Sequence, residues 1–197
     1  DMRLRPSGRS GTLVTNLAAF RDYQLSHAWV WEHQALVRAR PVAGSSALAE
    51  AFAQTRREIL CRPRDPEKLR AEVPAMRARM AAAHAPAEAG MFDLKHGRGG
   101  MIDIEFMVQY RVLCWAHARP VLASKTDNIS LLEALGRAGL LEQGRMRLLT
   151  DAYRRYLSAE QRLKLMERPP LIPAAEAGGY PEQVATVWNE LFDEEKT

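Results

Sequence analysis

The residues best suited to chemistry gather where the chain stops reading as ordinary amphipathic helix. One such place is the run Lys95-His96-Gly97-Arg98-Gly99-Gly100, followed by Met101-Ile102-Asp103-Ile104-Glu105-Phe106. Glycine is a poor helix former, costing about 1 kcal/mol relative to alanine. It suits a backbone that turns tightly or lets another group come close. The acidic pair that follows supports two readings. On a strand, Asp103 and Glu105 share one face and can hold a cation together. At a helix start they lie about 200° apart and place negative charge at the positive end of the helix dipole. Phe106, Val108, Gln109, Tyr110, Val112 and Leu113 continue at helical spacing, so a helix beginning near Ile102 is expected. Its plainest form is a well-capped core helix after a loop. The second place is the start of the chain, where Met2 and Leu4 alternate with Asp1, Arg3 and Arg5, the period of a half-buried strand. Pro6-Ser7-Gly8 and Ser10-Gly11 then mark a loop. Such a strand puts one carboxylate and two guanidiniums on the same face. That set suits a metal with a triphosphate, because arginine takes phosphate oxygens in a bidentate fork. A solvated edge strand with a local ion pair explains the same residues without a ligand.

The elements that must position these residues are nearly all helices. Asn16 is placed to cap a helix over Leu17, Phe20, Tyr23 and Gln24. A second helix carries Trp29, Trp31, Glu32, Leu36 and Val37 to Arg40, and Pro41 ends it. Both tryptophans are expected as core or interface anchors, with stacking on a nucleotide base as the functional alternative. Arg38 and Arg40 either complement the helix end or reach phosphates. After Gly44-Ser45, Ser46 caps a helix through Leu48, Phe52, Ile59 and Leu60. Asp65-Pro66-Glu67 starts another that runs to about His84, with Pro74 as a kink or a fresh start. Ala85 to Gly90 is the softest linker. Beyond the glycine stretch the pattern is a bundle. A helix from Ile102 ends near His117, and a short one capped by Thr126 or Asp127 is closed by Gly139. A long helix runs from about Gln143 to Leu165 until Pro169-Pro170 stop it. A loop over residues 171–180 precedes a last helix opened by Pro181. The fold class is therefore mostly α, with a remnant of sheet at the N-terminus.

The chain has 197 residues, 47% hydrophobic and 26% charged, enough to bury a core in one large or two small domains. No run approaches the roughly 18 apolar residues of a membrane span, and none reads as a signal or transit segment. No membrane partner is expected. The chain opens on Asp1 inside a strand-like pattern, so a piece of a longer protein is expected. The net charge of +4 comes almost entirely from arginine, without a basic cluster that alternates with aromatics, so no nucleic-acid partner is expected. Cys61 and Cys114 lie far apart with no CxxC or histidine-rich partner. They read as reduced thiols of a cytoplasmic protein.

Three stretches are more specific than any of this: DMRLRPSGRSG from Asp1, WEHQALVRARPVAG from Trp31 to Gly44, and DLKHGRGGMIDIEFMVQY from Asp93 to Tyr110. Together, in this order and spacing, they resemble the glutamine synthetase adenylyltransferase family, and the resemblance runs from Asp1 to about Glu167. That family attaches AMP to glutamine synthetase and removes it, in two similar halves, each a nucleotidyltransferase domain followed by a helical domain. The resemblance implies a helical bundle following the C-terminal remnant of a nucleotidyltransferase-fold α/β domain, divided as residues 1–90 and 91–197. LRPSG, WEHQALVRAR and DIEF look like the AMP-adding half; WERYA and REIEF would be nearer the removing half.

The resemblance also implies a two-metal transfer in which carboxylates hold Mg²⁺, position ATP and assist attack by a tyrosine hydroxyl of glutamine synthetase on the α-phosphorus. Asp1 matches the third carboxylate of that site, so it is the candidate catalytic and metal-binding residue. The superfamily's Gly-Ser motif and Asp-x-Asp pair are absent from this chain, and the chain alone is expected to be inactive. Arg3 and Arg5 match the family's RLRP motif and are candidates for phosphate contacts. Lys95, Gly99, Gly100, Asp103 and Glu105 match a KxGxGG…(D/E)xEF motif. For Lys95 the options are a reach to nucleotide phosphate or a purely structural junction. Glutamine synthetase and the PII signal protein are the implied partners. One alternative reading is a regulatory module, with the bundle from about residue 93 docking either protein. Another is the related uridylyltransferase that modifies PII, against which WEHQALVRAR argues.

Overall fold

The computed structural model describes residues 14–85 and 87–192. The strand expected around Asp1, Arg3 and Arg5 lies outside the described residues. The protein is mostly α. In chain order the elements are α1 (Leu17–Ser26), α2 (Val30–Val37), α3 (Ser46–Leu60), α4 (Pro66–Ala82), β1 (Met91–Asp93) and α5 (Met101–Trp115). After a 3₁₀ turn at Pro120–Ser124 come α6 (Asn128–Arg137), α7 (Gln143–Leu165), β2 (Leu171–Pro173), α8 (Ala174–Ala177) and α9 (Tyr180–Phe192).

Local chemistry sets most of these boundaries. Asn16 Oδ1 accepts from the Ala19 N–H at 2.8 Å and starts α1. The cap of α3 is Ser45, whose Oγ accepts from the Leu48 N–H; the expected cap at Ser46 was one residue late. Asp65 Oδ1 accepts from Glu67 and Lys68 ahead of Pro66, and α4 continues through Pro74. Glu142 caps α7 by accepting from the Gly144 and Arg145 N–H groups. Gly139, at φ +69°, lets the Leu140 N–H turn back to the Leu135 carbonyl and close α6. Residues 171–180 were expected as loop. Instead Leu171, Ile172 and Pro173 pair antiparallel with Asp93, Phe92 and Met91, and α8 follows.

Contacts divide the chain into two compact units. One comprises the described residues up to Val73 together with Gln109–Asp127. In it, α1 meets α3 through a Phe20–Phe52 ring contact and an Arg21–Glu58 ion pair. Its core includes Leu36, Val37, Ile59, Leu60, Leu69, Val112 and Leu113. Arg56 is buried and, among the described residues, its hydrogen-bond partners are carbonyls. It donates to the carbonyls of Leu36, Val37, Ala123 and Lys125, tying the end of α2 to the 3₁₀ turn and the residue that follows it. Burial lowers its pKa to about 10. The tryptophans do not anchor this core: Trp29 is 68% and Trp31 39% exposed. The positions of α2 that face inward are Glu32, Gln34, Leu36 and Val37.

The other unit comprises Pro74–Val108 and the chain from Asn128 onward. Here α6 and α9 pack on α7, and the β1–β2 ribbon and α8 close one side. Its core includes Ile104, Phe106, Leu131, Leu132, Leu135, Leu149, Tyr156 and Val184. Compactness and sequence ancestry are different properties: the units interleave along the chain, whereas the boundary expected between residues 90 and 91 separates two successive stretches.

Candidate functional site

The glycine-rich stretch sits between β1 and α5 in the second unit, and its backbone is turned inward on itself. Asp93 Oδ1 accepts from the Lys95 and His96 N–H groups at 2.8 and 2.9 Å. The Gly97 N–H donates to the Asp93 carbonyl and the Gly100 N–H to the Gly97 carbonyl. The first amides of α5, Met101 and Ile102, donate to the carbonyls of Leu94 and Lys95. Those amides are the donors a helix start would offer to a phosphate. Here they are engaged, so the loop does not cradle an anion in the manner of a nucleotide-binding glycine loop.

The acidic pair follows the helix reading. Asp103 and Glu105 point to different partners on α5, which removes the strand reading in which they share a cation. Asp103 is buried; one oxygen accepts from Arg77 Nε at 2.5 Å and the other from the Gly99 N–H at 2.6 Å. The Arg77 guanidinium also donates to the His96 carbonyl at 2.8 Å. Arg77 thus clasps the loop to α5 from α4. Burial pushes the Asp103 carboxyl above the usual carboxylate range, against the opposing pull of Arg77 and the Gly99 amide. Glu105 accepts from the Tyr153 hydroxyl at 2.9 Å, and Tyr153 in turn accepts from the Asn128 amide, which links α5, α6 and α7.

Gly99 completes the clasp. It sits at φ +77°, and a Cβ there would lie 2.6 Å from the carbonyl carbon of Pro181 and 2.8 Å from its Cα. Only glycine fits both the conformation and the space under the start of α9. Beside the clasp is a pocket of about 710 Å³, lined among others by His84, Phe92, His96, Arg98, Glu182 and Asn189. The His84 and His96 rings stack with centroids 3.6 Å apart. Burial, then the neighbouring His84, holds the His96 pKa below its ordinary value. Arg98 Nη2 reaches the side-chain amide of Asn189 at 3.3 Å.

Of the residues expected to meet substrate, Lys95 is exposed at the outer edge of this loop. Asp1, Arg3 and Arg5 lie outside the described residues. Among the described residues no group of three or more His, Cys, Asp or Glu side chains could hold a metal ion. Neither Cys61 nor Cys114 is in a disulfide. Arg77 carries no motif signal in the sequence; the only pointer to it is that it extends the buried stripe Leu69, Val73 at four-residue spacing.

Two family models match in succession: Glutamate-ammonia ligase adenylyltransferase over residues 1–55, and GlnD PII-uridylyltransferase over residues 67–169. The second covers more than half of the chain. The class is therefore a mostly helical segment shared with nucleotidyl-transferring enzymes. Among curated proteins the chain is 51% identical over 195 residues to the bifunctional glutamine synthetase adenylyltransferase/adenylyl-removing enzyme of Nitrosococcus oceani, matching 99% of this chain and 20% of that protein. The enzymes of the same name from Thioalkalivibrio sulfidiphilus and Pseudomonas aeruginosa are 49% and 46% identical over 100% and 97% of the chain, and 20% and 21% of their own lengths. The chain belongs to the glutamine synthetase adenylyltransferase/adenylyl-removing enzyme family, and it spans about a fifth of the relatives it matches.

Proposed function

We propose that this chain is part of a longer polypeptide that transfers AMP from ATP to a tyrosine of glutamine synthetase, and that it belongs to the AMP-adding half. The observation that carries this reading is the whole-chain identity of 46–51% to enzymes bearing that activity in their name. The wording of LRPSG, WEHQALVRAR and DIEF supports the choice of half. In this reading Asp1 supplies one carboxylate to a Mg²⁺ site whose other carboxylates lie outside this sequence. Arg3 and Arg5 hold triphosphate oxygens, and the polypeptide works in the cytoplasm. The described residues hold no cluster fit for a metal, so the reading assigns them positioning instead of metal binding. The clasp of Arg77, Asp103 and Gly99 holds the loop that presents Lys95. The uridylyltransferase match over residues 67–169 favours a second role for the same helices, as a docking or regulatory module that answers glutamine synthetase or PII.

The test uses the full-length polypeptide, unaltered and with Asp1→Asn, incubated with Mg²⁺, α-labelled ATP and glutamine synthetase. Label on the synthetase that disappears with the substitution, while folding is unchanged, supports the reading. Equal labelling by the variant removes Asp1 from the metal site. Loss of AMP removal with addition intact would assign the chain to the other half. The 197-residue chain by itself is expected to label nothing.

A further inference from the structure

The chain just past α4 meets the glycine-rich loop through two imidazoles. His84 follows the last turn of α4, and its Nδ1 donates to the Met80 carbonyl at 2.8 Å. That bond places the proton of a neutral His84 on Nδ1. The His96 ring stacks on it, with 3.6 Å between centroids and 23° between planes. His96 Nδ1 is buried and, among the described residues, has no hydrogen-bond partner. The α4 side of this unit thus reaches the loop twice. Arg77 binds the His96 carbonyl, and His84 covers the His96 ring. The same two imidazoles form part of the wall of the 710 Å³ pocket.

Such a stack suits two uncharged rings, or one charged ring on a neutral one, because an aromatic face attracts a cation. Two imidazoliums repel. At the separation of these rings, even the dielectric of water leaves a repulsion that shifts an equilibrium about sevenfold. A protonated His96 also carries a hydrogen on Nδ1, which becomes a buried donor with nothing to receive it. The neighbouring groups add to this. Burial, then His84, then Lys95 and Arg77 disfavour a charge on His96, and only Asp93 favours it. Asp93 Oδ1 is already taken by the Lys95 and His96 N–H groups. Across the pocket Arg98 from the loop and Glu182 from α9 oppose each other in sign.

We propose that the His84–His96 stack is a latch that acid releases: with both rings uncharged it holds the loop against the end of α4, and with a proton on each the rings part. The loop that carries Lys95 is then loosened, while the Arg77–Asp103 pair keeps α5 in place. The latch is closed above about pH 6.5, the ordinary histidine value. It opens as pH falls, because the parted rings take up the second proton more readily than the stacked ones. Resting on the function proposed above, in which this loop presents Lys95, its release weakens the hold on ATP, and AMP transfer declines in acid.

The test uses the full-length polypeptide. Deuterium exchange is measured near neutrality and at about pD 5, each rate divided by that of an unstructured peptide at the same pD. Protection of the His96, Gly97 and Gly100 amides, which bond to Asp93 and Gly97, should fall about fivefold in acid. The amides of Tyr153 and Tyr156 in α7 should keep theirs. His84→Phe and His96→Phe each keep a ring in the stack and remove one charge. Both should hold the loop's protection within about twofold across the range. His84→Ala removes the ring and should leave the loop weakly protected at both values. Unchanged protection in the unaltered protein, or an equal fall in the phenylalanine variants, overturns the latch. So does a fall shared by α7, which is unfolding of the whole unit. KM for ATP in the AMP-transfer assay is a separate readout. A rise in acid that His84→Phe abolishes ties the latch to the reaction, and a KM that acid leaves unmoved in both proteins overturns that tie. Acid-sensitive exchange in a polypeptide that transfers no AMP keeps the latch and overturns the transferase reading.

Discussion

The ion pair between Arg77 and Asp103 should be the most sensitive point of the second unit. Both side chains are almost fully enclosed, at 8% and 7% exposure, so water cannot replace a missing partner. Arg77→Met strips Asp103 of its guanidinium and leaves the carboxylate with the Gly99 N–H alone, while the His96 carbonyl loses its donor. Breaking a buried pair from one side costs about 3–5 kcal/mol, a large share of the roughly 5–15 kcal/mol that holds a domain together. Asp103→Asn keeps an acceptor for Gly99 but leaves the Arg77 charge facing only carbonyls, a loss of about 2–3 kcal/mol. The double variant should fall short of the sum by at least about 1.5 kcal/mol, because the second change removes a group already unpaired. Urea unfolding gives the three values. Amide exchange at Gly99, Met101 and Ile102 places the loss at the clasp. Single losses under about 1 kcal/mol, or a double variant that is simply additive, would refute the clasp as the element holding the loop.

Two further outcomes follow from the same geometry. Gly99→Ala should cost more than about 3 kcal/mol, combining a left-handed penalty of about 1–2 kcal/mol with overlap against Pro181. Gly90→Ala, at φ +79° with no atom within 4 Å of its Cβ, should cost only the backbone part, and equal losses at the two sites in urea unfolding would contradict the overlap. Stability should also decline below neutral pH. Burial holds the pKa values of His33 and His96 below the ordinary histidine value, so the unfolded chain takes up protons first as pH falls. Their contribution is complete above about pH 6.5 and is lost as pH drops through the folded values. The urea midpoint should be higher at pH 7.5 than at 5.5. His33→Gln, which preserves a donor to the Gln24 carbonyl, should narrow the difference, and an unchanged gap would sink that attribution.

Helix boundaries were legible because the signals are local. Asn16, the Asp65-Pro66 pair and the span of α7 are each fixed by residues within a turn of the boundary. What was not legible depends on partners distant in sequence. Leu171, Ile172 and Pro173 become a strand only because Met91, Phe92 and Asp93 offer an edge, and nothing within residues 171–180 announces it. The tryptophans illustrate a different limit. Trp29 and Trp31 are large and apolar, yet α2 turns Glu32, Gln34, Leu36 and Val37 inward. Glu32 earns its buried place by accepting from the Tyr23 hydroxyl and the Trp29 N–H, so hydrophobicity alone did not separate the core position from the interface alternative for the two tryptophans.

The glycine-rich stretch shows how residues that look chemical in sequence can be engaged in holding the fold. Its lysine, histidine, arginine, glycines and acidic pair have the composition of a ligand site. In the fold, Asp103 answers Arg77 and Gly99, Glu105 answers Tyr153, and most of the loop amides answer Asp93 or nearby carbonyls. Sequence could not separate these uses, because the decisive partner, Arg77, lies on another helix and reads there as one more arginine among many. Once the inward groups are assigned, Lys95 and Arg98 are the cations the loop turns outward. Those two side chains are therefore the groups with which the loop would meet a phosphate. Replacing the glycines would then act on folding, whereas Lys95→Met would act on catalysis without moving stability, and that contrast separates the loop's two possible uses.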